Sequence, residues 1–143
     1  MSAMVVGIGG DGGGAPAARC AADLAGPLGV PVVLVFGFES SPLGPRGGPL
    51  EEQIAEIGRE ATDAVRAELA VSHPDTPVEV ELVPARPVDA LLGVAEARDA
   101  LIVAVGHGGH GPLRGALLGS IAYEIVHRSP RPVLVVPEES DDD

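Results

Sequence analysis

Two short runs in this chain, residues 31–38 (PVVLVFGF) and residues 100–106 (ALIVAVG), carry no polar side chain. A strand that is apolar at every position must be covered on both faces, as in a parallel sheet lying between helices. Parallel neighbours need crossovers of a dozen or more residues, and stretches with helical periodicity fill the gaps between the apolar runs. Strands are predicted at 4–8, 31–38, 76–85, 100–106 and 131–137, and helices at 15–29, 49–71, 87–98 and 120–129. This alternation predicts an α/β fold: a five-stranded parallel, doubly wound (Rossmann-like) sheet with four helices. Within 76–85, Val78, Val80 and Leu82 alternate with Glu79 and Glu81, so that strand is expected at an edge. The faces expected to turn inward are Ala17, Cys20, Ala21, Leu24 and Leu28 in the first helix. In the second they are Leu50, Ile54, Ile57, Ala61, Ala64, Val65 and Leu69, and in the third Val88, Leu91, Leu92 and Ala95. One domain over 1–137 is expected, followed by a disordered acidic tail at 138–143 (EESDDD).

Composition narrows the choice of partner. There are 21 acids against 9 bases, a net charge of −12, and every base is arginine. Such a chain is repelled by nucleic-acid backbones and anionic lipid surfaces. Without lysine it has neither a Walker-type phosphate lysine nor a Schiff base. Its aromatic residues are Phe36, Phe38 and Tyr123, too few to stack single-stranded bases. The lone Cys20 excludes an internal disulfide and is expected as a packed core thiol. No apolar run approaches the ~20 residues that cross a bilayer. A cytoplasmic protein with neither nucleic acid nor membrane as partner is expected.

The chemistry concentrates in two glycine loops, each following the carboxyl end of a strand, at Gly9 and at Gly106. A doubly wound sheet can bring two such loops together at its switch point, where ligands bind. In the second loop Ser120 is expected as the N-cap of the last helix. Helix-start amides have no internal acceptors, and glycines let them approach an anion closely, so a phosphate cradle is expected there. The first loop also fits G-x-G-x-x-G through Gly7, Gly9 and Gly12, with Glu39 as a ribose acid. In so glycine-rich a chain that match is weak, and a glycine-rich turn is preferred. His107 and His110 are read as loop residues, His73 and His127 as surface residues near helix ends. Arg114 either offsets phosphate charge or is exposed. No Ser-His-Asp set, catalytic residue or metal ligand is assigned.

Gly106-x-x-Gly109, nine residues, then Gly119-Ser120 resembles the nucleotide-binding signature of the universal stress protein family. Residues 100–137 resemble that family's carboxyl-terminal third almost throughout. Residues 5–25 are similar to its opening strand and first helix, and residues 85–97 to its third-helix segment. The resemblance implies ATP as ligand, with Mg or Mn, no cofactor needed for folding, and at most slow hydrolysis. Val105 and Gly106 would line the adenosine; Gly109, Gly119, Ser120 and Ile121 would contact the phosphates; Phe36 and Gly37 would pack near the base. It also implies a homodimer formed through Val133, Leu134, Val135 and Val136. The family's first strand usually ends in Asp-Gly-Ser, whereas this chain has Gly9-Gly10-Asp11. Asp11 either reaches back to substitute for that carboxylate or does not, and Gly9→Asp is expected to restore the nucleoside contact. The alternative is a universal-stress-type homodimer that binds no nucleotide and works as an interaction protein.

Overall fold

The computed structural model describes residues 2–39, 48–108 and 118–138. Its strands are β1 (Ala3–Gly7), β2 (Val32–Gly37), β3 (Val78–Val83), β4 (Ala100–Gly106) and β5 (Val133–Val136). Its helices are α1 (Ala15–Leu28), α2 (Pro49–Ser72), α3 (Pro87–Ala97) and α4 (Ser120–Arg128). The strands are all parallel and lie in the order β3-β2-β1-β4-β5, the doubly wound sheet expected from the sequence.

Alternation along the strands divides the core between the two faces. Ala3, Val5, Val33, Val35, Val103 and Val105 meet α3 and α4; Met4, Val6, Val32, Leu34 and Ala104 meet α1 and α2. Both sets are apolar because helices cover both faces. β3 takes one edge as expected. Arg98, after α3, covers its acidic face by donating to Glu79 at 2.8 Å and Glu81 at 3.2 Å. The Glu79 carboxylate, as acceptor, holds the Arg98 guanidinium above its usual range. Asp99 turns the chain into β4 at φ 51, and Arg131 donates to it at 3.0 Å, holding its carboxyl below the usual range.

Two helix faces differ from expectation. α1 buries Ala17, Ala18, Ala21, Ala22 and Ala25, while Leu24 and Leu28 are exposed and Cys20 is half-buried. This helix crosses the middle of the sheet, where alanine lets the backbones approach closely and leucine would hold them apart. α2 buries Gly58, Thr62, Val65 and Leu69, while Leu50, Ile57 and Ala64 are exposed. Ile57 and Ala64 instead line a shallow groove of about 470 Å³ between α2 and the first glycine loop. The Thr62 hydroxyl is tolerated in the core because it donates to Gly58 O at 2.9 Å.

No motif in the sequence marks the hydrogen-bonded row at the end of α2. His73 Nδ1 lies 2.7 Å from Ser72 Oγ, and its Nε2 lies 2.6 Å from Asp23 Oδ1. Its order suggests a nucleophile, but its setting does not. Ser72 ends α2, and an oxyanion formed there would face the negative end of the helix dipole. The row clasps α1 to α2.

Candidate functional site

The sheet order reverses between β1 and β4, so the chain leaves the carboxyl ends of these neighbours in opposite directions. A cleft of about 910 Å³ opens there, between the first loop and the neck of the second.

The first loop is held by its own backbone. Gly9 N–H donates to Gly13 O at 2.8 Å, and Gly12 N–H donates to Gly9 O at 3.0 Å. Asp11 Oδ1 accepts the Gly13 N–H at 2.9 Å, the local side-chain-to-backbone bond that suits aspartate to turns. The same oxygen lies 2.8 Å from where a Cβ on residue 9 would stand. Asp11 has thus folded back over Gly9, and a carboxylate stands beside residue 9 although residue 9 has no side chain. The expectation for Gly9→Asp is corrected accordingly: its new side chain would start against an existing carboxylate.

The end of β2 supplies Phe36 and Gly37, and the end of β4 supplies Val105 and Gly106; Pro87 and Leu91 of α3 complete an apolar side. The Phe36 ring stacks on Phe38 at 5.9 Å between centroids. It fills the space into which a side chain at Gly58 would project, and this explains the buried glycine in α2. Nothing in the linear sequence links positions 36 and 58.

The second loop leaves and returns through a narrow neck. His107 N–H donates to Val136 O at 2.8 Å, and Gly119 N–H donates to His107 O at 2.9 Å. Gly119, not Ser120, is the N-cap of α4, with no side-chain cap bond; Ser120 is the exposed first residue of the helix. A Cβ on residue 119 would lie 2.8 Å from both C and O of Gly108, so only glycine fits the pinch. The first amides of α4 are therefore left without a capping side chain at the rim of the cleft, where the positive end of the helix favours an anion.

Gly9, Asp11, Phe36, Gly37, Val105, Gly106, Gly119, Ser120 and Ile121 all line this one cleft. Gly109, His110 and Arg114 lie outside the described residues. Glu138, assigned from sequence to the tail, also lines the cleft. Among the described residues no group of three or more metal-ligating side chains is found, and no helix is long and apolar enough to cross a membrane.

A profile described as the universal stress protein family matches residues 1–137. A comparison with the curated proteins finds no match. Among solved structures, the chain is similar to a universal stress protein in complex with cAMP, at 28% identity and TM-score 0.66, covering 96% of this chain and 98% of that one. A universal stress protein from Archaeoglobus fulgidus in complex with dAMP is similar at 21% identity and TM-score 0.65, covering 95% and 98%. One from Lactobacillus plantarum reaches a TM-score of 0.74 at 17% identity, covering 94% and 97%.

Proposed function

Since the chain belongs to the universal stress protein family, we propose that it is a homodimeric receptor for an adenine nucleotide, ATP with Mg or Mn, bound in the cleft between β1 and β4. The uncapped start of α4, opening on that cleft beside a glycine neck, carries this reading. The similar structure holding cAMP supports a nucleotide as the ligand class. The apolar side formed by Phe36, Val105 and Leu91 suits a base, and the amides around Gly119 and Ser120 suit phosphate oxygens. Asp11 would accept a hydrogen bond from the nucleoside. Among the described residues the donors at the phosphate end are backbone N–H groups, which hold charge but exchange no proton with a substrate, and the Ser120 hydroxyl. The protein is read as a binding and signalling module of the cytoplasm with at most slow ATP hydrolysis. The cation would arrive with the triphosphate.

Calorimetric titration with Mg-ATP and with cAMP tests the reading: saturable binding is expected, and no heat up to millimolar ligand overturns it. Asp11→Ala is expected to weaken binding about tenfold, the worth of one charge-assisted hydrogen bond. Gly9→Asp alone is expected to weaken binding through its contact with Asp11. Combined with Asp11→Gly, it is expected to restore most of the affinity. Tighter binding by Gly9→Asp alone would refute the role given to Asp11.

The dimer is proposed through β5, the other edge of the sheet. Val133, Leu134 and Val135 are half-buried in one protomer, and α4 beside them exposes Tyr123 and Val126. The carbonyls of Pro132 and Val136 accept from β4 and the residue after it, so the alternate Val135 turns its N–H away from β4, which supports pairing with a second copy. Val135→Pro removes that donor while keeping the ladder to β4. Sedimentation is expected to show a dimeric wild type and a monomeric variant; a wild type that is monomeric at high concentration would refute the arrangement.

A further inference from the structure

Glu138 lies two residues beyond β5, and its carboxylate Oε1 fills the space a side chain at position 106 would occupy. Both residues line the cleft, so the carboxylate stands inside the proposed ligand site. A second carboxylate, Asp11, lines the same cleft. Arg19 lines it too, but its guanidinium is bridged to Glu68 at 2.9 Å. The site thus combines amides that attract a phosphate with a negative charge that resists further charge. Attraction by a helix start fades within one turn, whereas repulsion between like charges grows with every charge the ligand brings.

From this placement we infer that Glu138 is a specificity residue that selects ligands by charge. An adenine nucleotide with a single phosphate group, cyclic or open, binds with Glu138 in place. Free ATP binds less well, because it must either swing the Glu138 side chain off Gly106 or accept its repulsion. The inference rests on the nucleotide reading and concerns ligands free of cation; Mg or Mn arriving with ATP would offset the charge that Glu138 resists. It also gives Gly106 a role beyond close approach to the ligand, because any side chain there would evict the carboxylate.

Glu138→Gln keeps the shape and removes the charge. Adenosine, cAMP, AMP and ATP are titrated by calorimetry into the full chain and the variant, without divalent cations, at low and at high salt. For wild type, AMP is expected to bind more tightly than ATP. For the variant, affinity is expected to change less than about twofold for adenosine and to rise about tenfold for ATP, cAMP and AMP falling between. The ATP gain is expected to shrink at high salt, where screening weakens the charge term. Glu138→Ala, expected to repeat this order, guards against an effect of the glutamine itself, and circular dichroism confirms that each variant is folded. An equal change for all four ligands, a uniform loss of affinity, or no change would overturn the charge-selecting role while leaving nucleotide binding intact. Failure of every ligand to bind either protein would overturn both.

Discussion

Replacing Gly14 by valine is expected to cost about 3–5 kcal/mol of stability, a large part of the ~5–15 kcal/mol that holds a domain together. Gly14 is the N-cap of α1, with φ 103 and ψ −3. That backbone conformation is unfavourable for any side chain and most of all for a β-branched one. Space adds to the cost: a Cβ at position 14 would overlap the carbonyl oxygen of Gly7 and lie 3.3 Å from Ile8 Cδ1. The oxygen belongs to the end of β1, the central strand, and has no free rotation by which to escape. Relief requires α1 to lift from the sheet, and its buried alanines pack too closely for that to be cheap. Urea denaturation should show the midpoint falling sharply with an unchanged slope. Gly93 is the contrast. It lies within α3 with nothing within 4 Å of an added Cβ, so Gly93→Ala is expected to stabilise by about 0.5–1 kcal/mol. If Gly14→Val unfolds at the wild-type midpoint, the close approach of α1 to β1 is wrong.

The sheet was readable from sequence because each signal is local. Strands such as Val32–Gly37 are apolar throughout, β3 alternates, and glycine or proline punctuates their ends. The helix faces were less readable. In α1 a stripe through Leu24 and Leu28 and one through Ala18, Ala22 and Ala25 both have helical spacing. Only the distance between helix and sheet decides for the smaller side chains. The same holds within the cleft. An aspartate two residues after a glycine already suggests that its carboxylate can turn back, because an Asx turn needs no tertiary partner. The N-cap of α4 was misplaced because a serine before a helix is locally the better cap. What overrules it is the touching of Gly108 and Gly119, two points eleven residues apart. Glu138 was assigned to the tail because its contact depends on the parallel pairing of β5 with β4, which sets Val136 beside Gly106.

That touching neck gives the largest effect on binding. Gly119→Val is expected to lower adenine-nucleotide affinity at least about a hundredfold, or ~2.8 kcal/mol, while leaving the fold intact. The Cβ at 119 would meet the peptide of Gly108 at 2.8 Å, and backbone on both sides leaves no flexible side chain to give way. The two sides of the neck must part, which breaks the Gly119 N–H bond to His107 O and turns the first amides of α4 away from the cleft. Binding suffers because those amides are the proposed phosphate donors, and a misaligned donor is worth little at short range. Stability suffers less. α4 still buries Ala122 and Ile125 against the sheet, and a neck at the surface can relax at modest cost. Thermal melting together with titration separates the two effects. A melting temperature within a few degrees of wild type with binding lost is the expected pair. Full affinity in a folded Gly119→Val protein would place the anion site somewhere other than the start of α4.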